Sequence, residues 1–251
     1  MGLDEVRSTW EEIGRDDPFW AVLSWPGRER GAWDLEEFFA QGEREVAAFL
    51  DEVSVVGLPL RFGSVLDFGC GVGRLSRALA TRFERVHGID ISAPMIEQAR
   101  RLVGAQHANC EFTVSSERTL PFAPGTFDAL MSNIVLQHMP SKLARSYISE
   151  FVRVLKPGGV AIFQVPARQI GGSRSANPLV RGAMNALPSQ WREEIMRRRA
   201  KPDARNLPMH GTPRAKVVRT VERRGARVAA CIEDRAAGAN WRSFHYLVTR
   251  P

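Results

Sequence analysis

The chain has 251 residues, 44% of them hydrophobic, and a formal net charge of +7, which is enough to bury one core and too little for two full domains. No segment approaches the ~18 consecutive apolar residues of a membrane span. The opening MGLDEVRSTW has neither a basic nor an apolar leader region and puts Val6 where a myristoylation signal needs Ser or Thr, so a soluble, unexported, cytoplasmic protein is expected.

The charge is unevenly spread. Residues 1–60 carry 14 Asp/Glu against 5 Arg, a net of −9, with Trp10, Trp20, Trp25, Trp33 and the pair Phe38-Phe39. Such an aromatic load on an acidic, helical-looking segment needs something to cover, and an N-terminal helical lid over residues 1–60 is expected. From Ser64 onward short β-rich runs alternate with helical periodicity, the pattern of a parallel sheet with crossover helices. Strands are predicted at Ser64 to Phe68, Arg85 to Ile91, Cys110 to Ser115, Phe127 to Ser132, Val160 to Val165, Ala226 to Glu233 and Ser243 to Thr249. Helices are predicted at Val72 to Arg82, Pro94 to Val103, Ser141 to Leu155 and Pro213 to Arg224.

Lys156-Pro157-Gly158-Gly159 should end a helix and turn into strand five. The last two strands, joined by DRAAGAN, should form an antiparallel edge hairpin. Residues 61–251 thus read as one α/β domain, a doubly wound, mostly parallel seven-stranded sheet. A Gly-, Pro- and Arg-rich insertion at about 168–211, with a helix near Trp191, replaces the short loop expected after strand five. Residues 166–227 carry 15 Lys/Arg against 4 Asp/Glu. Basic stretches suit nucleic acid, but arginine supplies 31 of the 35 basic residues chain-wide, which looks like coding bias, so a solvated face is expected and nucleic acid is not. Cys70, Cys110 and Cys231 have neither disulfide-framework nor zinc spacing, and no metal site is expected.

The stretch VLDFGCGVGRLS, Val65 to Ser76, breaks from a strand into glycines. Such a turn brings a ligand against the backbone at the carboxyl end of a parallel sheet. A dinucleotide fingerprint would need a third glycine at Arg74 or Ser76, and no G-K-[ST] follows for a phosphate loop. Asp67, just before the glycines, would repel a pyrophosphate and attract an ammonium. Strand two ends in Gly88-Ile89-Asp90, where a carboxylate accepts from both hydroxyls of a ribose. A nucleoside joined to an amino acid without intervening phosphate satisfies both, and S-adenosylmethionine has that form.

On these residues the chain resembles the class I S-adenosylmethionine-dependent methyltransferases from about Ser64 to Pro251. VLDFGCGVGRLS is similar to the family's first motif, VHGIDISAPMIEQAR to its ribose-binding segment, TLPFAPGTFDALMSNIVLQHM to the strand-four region and RVLKPGGVAIF to the turn into strand five. The resemblance implies a Rossmann-like methyltransferase fold with a reversed last strand. It implies Asp67, Gly69 and Gly71 at the methionine end, Asp90 on the ribose, Ile91 and Met95 sandwiching the adenine, and Asn133 and Leu136 near the methionine. Where the family often has an aspartate for the adenine amino group, this chain has Ser116 with Glu117 beside it.

Methyl transfer needs chiefly in-line approach of a positioned nucleophile. His138, just past strand four, is the candidate general base for a hydroxyl acceptor, with capping or packing as its plainer role; His210 and His245 are harder to place. Ser132-Asn133-Ile134-Val135 lacks the N/D-P-P-aromatic motif of exocyclic base-amine methylation, and no cysteine lies on strands four or five for pyrimidine-carbon chemistry. A small-molecule O or N acceptor is expected. The alternatives are an RNA or protein methyltransferase docking through the arginine-rich insertion, and a non-catalytic S-adenosylmethionine-binding protein.

Overall fold

The computed structural model describes residues 2–170 and 207–251. Helices α1 (Leu3–Asp16), α2 (Pro18–Val22) and α3 (Leu35–Val56) precede the sheet. Asp17 and Asp34 cap the second and third by accepting from the Trp20 and Glu37 amides, and Gly57 in the left-handed region stops the third. Then follow β1 (Ser64–Phe68), α4 (Arg74–Ala80), β2 (Arg85–Asp90) and α5 (Ala93–Ala99), the last running into a π-turn at Arg100–Gly104. The chain continues through β3 (Cys110–Val114), β4 (Phe127–Ser132), a 3-10 turn at Leu136–His138, α6 (Ser141–Val154), β5 (Leu155–Gln169), α7 (Arg214–Glu222), β6 (Arg227–Asp234) and β7 (Trp241–Thr249).

The seven strands form one mixed sheet in the order β3-β2-β1-β4-β5-β7-β6. The first five run parallel and β7 is antiparallel to both neighbours, as the predicted edge hairpin requires. Alternation along the strands sends side chains to two cores. Val65, Ala129, Met131, Val160 and Ile162 pack with Phe38, Phe49, Leu79 and Ile96 of α3, α4 and α5 on one face. Leu66, Phe68, Leu130, Ala161 and Phe163 pack with Tyr147, Phe151, Val217 and Val221 of α6 and α7 on the other. The sheet is therefore covered on both faces, and the strand order reverses at β1, between β2 and β4, which is where such sheets open a ligand crevice.

Most element ends fall within two residues of the prediction, and β5 is the main departure. Its ladder takes in Leu155, paired with Phe127, then the Lys156–Gly159 stretch bulges out before Ala129 pairs with Val160. Gly158 has φ 75° there, so the expected tight turn is present as a bulge inside the strand. Strand β5 also extends to Gln169 because β7 begins at Trp241 and pairs with it. The expected helix near Trp191 and most of the arginine-rich insertion lie outside the described residues. Among the described residues no helix is long and apolar enough to cross a membrane.

Candidate functional site

The β1 strand is fully buried, and its last residues deliver Asp67 and Phe68 to the reversal point. The chain then turns through Gly69, Cys70 and Gly71 and enters α4 at Gly73. Gly69 has φ 73° and Gly71 φ 53°, a backbone region that strains any residue with a Cβ. Space is short as well: a Cβ on Gly69 would stand 2.4 Å from Val135 Cγ2, and one on Gly71 2.8 Å from Val22 Cγ2. The Gly69 and Cys70 amides donate to the Ile89 carbonyl at 2.8 and 3.1 Å, which ties the loop to the end of β2. There Asp90 accepts from the Gly71 amide at 2.9 Å through one oxygen and from the Ser92 amide at 2.9 Å through the other. Asp90 thus sits at the carboxyl end of β2 with lone pairs still open to a ligand.

These elements line a concave crevice whose non-atom space, open solvent at its mouth included, is about 970 Å³. Of the residues singled out in the sequence, Asp67, Gly69, Gly71, Asp90, Ile91, Met95, Glu117 and Asn133 all line it. Ser116 does not, and its neighbour Ser115 takes the wall position. Leu136 is fully buried in the core formed with α6 and does not reach the cavity. His138 faces a second cavity next door, beyond Ile134.

Several wall residues carried no local sequence signal. Val6 and Trp10 of α1 and Ala21 and Val22 of α2 close one side. The helix α1 can lie this close because Gly14 packs on α5, where a Cβ would be 2.9 Å from Ser92 Oγ, and because Ser92 Oγ donates to the Trp10 carbonyl at 3.0 Å. Arg74, noted in the sequence only for not being glycine, lines the cavity and is buried in an ion pair with Glu45 of α3 at 2.8 Å. Glu45 also accepts from the Asn133 side-chain amide.

The electrostatics are set by burial. Asp67 is 1% exposed; loss of hydration pushes its carboxyl from the ordinary 3.8 up to about 7, against the Ser76 hydroxyl that donates to it at 2.6 Å and the nearby Arg74 guanidinium. Burial raises Asp90 too, although backbone amides oppose it. Burial pushes the His138 imidazole down to about 4. Among the described residues of the cavity wall, Arg74 Nε and Asn133 Oδ1 are buried with neither a hydrogen bond nor an ion pair. A donor and an acceptor left open beside a carboxylate are what a zwitterionic amino-acid group would satisfy, its carboxylate taking the first and its ammonium the second.

Residues 65–159 match the methyltransferase domain family. The malonyl-[acyl-carrier protein] O-methyltransferase of Salmonella typhimurium is 38% identical over 103 residues, 41% of this chain and 39% of that protein. The trans-aconitate 2-methyltransferase of Streptomyces avermitilis is 30% identical over 141 residues, 54% of this chain and 51% of that protein. The matches thus span two fifths to one half of the relatives' length. Among solved structures, magnesium protoporphyrin IX methyltransferase from Synechocystis with bound SAH superimposes with a TM-score of 0.64 at 20% identity, covering 99% of each chain. The seven-stranded α/β sheet and the glycine loop at its reversal point thus accompany a methyltransferase-domain match over residues 65–159, less than half of the chain.

Proposed function

We propose that the protein binds S-adenosylmethionine in the cavity at the end of β1 and β2 and transfers its methyl group to an oxygen or nitrogen of a small-molecule acceptor. The observation that carries this is the pairing, in one cavity, of a buried Asp67 and a β2-terminal Asp90 around a backbone turn too tight for side chains. Asp67 with Asn133 Oδ1 suits the ammonium, Arg74 Nε the carboxylate, and Asp90 the ribose diol. Ile91 and Met95 would flank the adenine, with Ser115 or Glu117 accepting from its amino group.

When bound, the cofactor supplies a methyl carbon on a positively charged sulfur, which departs as a neutral thioether. The chain's own residues position the acceptor, exclude water and receive the proton that an O–H or N–H acceptor must lose. Helices α1 and α2 serve as the lid: Val6, Trp10, Ala21 and Val22 already wall the cavity. His138, held neutral by burial, suits a hydrogen bond to the acceptor better than strong base catalysis, since a group of such low basicity takes up a proton weakly at neutral pH. The free, mostly buried thiols Cys70 and Cys110 fit a cytoplasmic setting.

Calorimetric titration with S-adenosylhomocysteine tests the cofactor site, and formation of that product from S-adenosylmethionine in the presence of candidate acceptors separates an enzyme from a non-catalytic binding protein. Tight uptake of NAD or ATP with no response to S-adenosylmethionine would overturn the proposal.

A further inference from the structure

The second cavity has a chemistry of its own. It shares Ala21, Val22 and Ile134 with the first and continues past them to Trp20, Leu23 and Trp25 of the N-terminal segment, Gln137 and His138 after β4, Leu207 and Met209, and the turn between β6 and β7 at Ala236 to Gly238. Ile134, on the shared wall, has φ 60°. A β-branched residue in the left-handed region costs about 1–3 kcal/mol and persists where the surroundings impose it. Here the strained residue belongs to the lining of both spaces.

Among the described residues lining this second cavity there is no Asp, Glu, Lys or Arg. Two ring nitrogens of its lining are nevertheless unspent. Trp20 is 95% buried by its 5% exposure, and its Nε1–H has no hydrogen-bond partner; the contrast is Trp33, whose Nε1–H donates to the Leu23 carbonyl at 3.1 Å. His138 is 8% exposed. Its Nε2 lies 3.1 Å from the Gln137 amide nitrogen, while Nδ1 closes no hydrogen bond, with the Pro208 carbonyl and the His210 side chain near the ring. A buried N–H left open costs about 1–3 kcal/mol, and a ligand oxygen would recover it.

We propose that this cavity holds the methyl acceptor, and that the acceptor is an uncharged, largely apolar, ring-bearing molecule whose oxygen function sits between Trp20 Nε1–H and His138 Nδ1. Trp20 and Trp25 provide ring faces and edges, Leu23 and Met209 provide apolar cover, and a hydroxyl meets both nitrogens, accepting from Trp20 and donating to or accepting from His138. A carboxylate finds no cation among the described residues of these walls, and burying it against neutral donors alone is unfavourable. The proposal rests on the assignment of the first cavity to the cofactor.

The test uses the full chain saturated with S-adenosylhomocysteine, with 2-naphthol as the neutral probe and 2-naphthoate as its charged counterpart, both titrated by calorimetry at pH 7. We expect 2-naphthol to bind at least about tenfold more tightly than 2-naphthoate. Trp20→Phe should weaken 2-naphthol about three- to tenfold, and Ala237→Phe, which fills the far wall, should abolish it, both with S-adenosylhomocysteine affinity kept within about twofold. Equal or tighter binding of 2-naphthoate overturns the proposal, as does 2-naphthol binding indifferent to both substitutions. Failure to bind S-adenosylhomocysteine at all is a different result, since it sinks the cofactor assignment, and it is read before either naphthalene probe is added.

Discussion

Replacing Asp67 by Asn should stabilise the protein at pH 8 and leave it nearly unchanged near pH 4. The side chain is 1% exposed, and burial lifts its carboxyl from 3.8 to about 7. The difference is about three pKa units, or ~4 kcal/mol at ~1.4 kcal/mol per unit. Below the ordinary carboxylate value the group is protonated in folded and unfolded chains alike, so it contributes no penalty. Between there and about pH 7 the unfolded chain releases the proton while the folded chain retains it, and folded stability falls as pH rises. Above pH 7 the loss is complete. Asn carries no charge and still offers Ser76 an acceptor oxygen, so the difference between variant and wild type should grow from zero to a ceiling of ~4 kcal/mol. Even half of that corresponds to about 4–8 °C in Tm for a chain of this size. Urea unfolding followed by circular dichroism from pH 4.5 to 8 measures it, and a stability difference that stays flat across the series refutes the reasoning. Binding should move oppositely. A ligand ammonium favours the ionised carboxylate, so wild-type affinity for S-adenosylhomocysteine should climb by up to about tenfold per pH unit toward pH 7 and level off above it. The Asn variant should bind more weakly and without that slope.

Asp90→Ala should lower S-adenosylhomocysteine affinity by about 10- to 100-fold, through loss of charge-assisted hydrogen bonds to the sugar; calorimetry showing unchanged affinity removes Asp90 from the site. Gly69→Ala should cost about 1–3 kcal/mol in urea unfolding, because a left-handed backbone coincides with a Cβ 2.4 Å from Val135 Cγ2. Adding Val135→Ala should restore only the steric part, so full recovery would show that backbone strain was negligible. Gly14→Leu should push α1 off α5, where a Cβ already meets Ser92 Oγ at 2.9 Å. Faster limited proteolysis near α1 with weaker S-adenosylhomocysteine binding and little change in core unfolding is the result expected of a lid.

The alternation of strands and helices was legible because each element carries its own period, and β1 and β4 match the predicted ends to the residue. Asp67 and Asp90 were legible for a related reason: each stands at or next to a strand end and two residues from a glycine, where chain geometry alone brings a side chain to the crevice. What the sequence could not show are contacts made across long separations. Glu45 reaches Arg74 and Asn133 from the middle of a 22-residue helix, and nothing within a turn of it distinguishes it from the solvent-facing acids nearby. Val6 and Val22 wall the site only because Gly14 lets α1 dock on α5. Ser115 rather than Ser116 lines the cavity because β3 ends at Val114 with the Ser115 amide still bonded to the Asp90 carbonyl. The aromatic N-terminal segment announced that it must cover something, but which ring faces which cavity follows from tertiary packing.

Among the described residues, the carboxylates and cations lining the first cavity are Asp67, Asp90, Glu117 and Arg74, and the arginine is already paired with Glu45. Two of the acids are buried enough for their carboxyls to be raised, which means that ionising them works against a solvation cost. A phosphate-bearing ligand would add to that cost. A ligand bringing positive charge would relieve it, and the relief appears as binding free energy, because the penalty is already present in the folded protein before the ligand arrives. The described residues of the second cavity have the opposite character, with no charged side chain and two unspent ring nitrogens among them. On the proposed assignments a cation on the acidic side and a neutral partner on the apolar side would share the Ile134 wall, and that division of charge suits a reaction in which the cation becomes neutral.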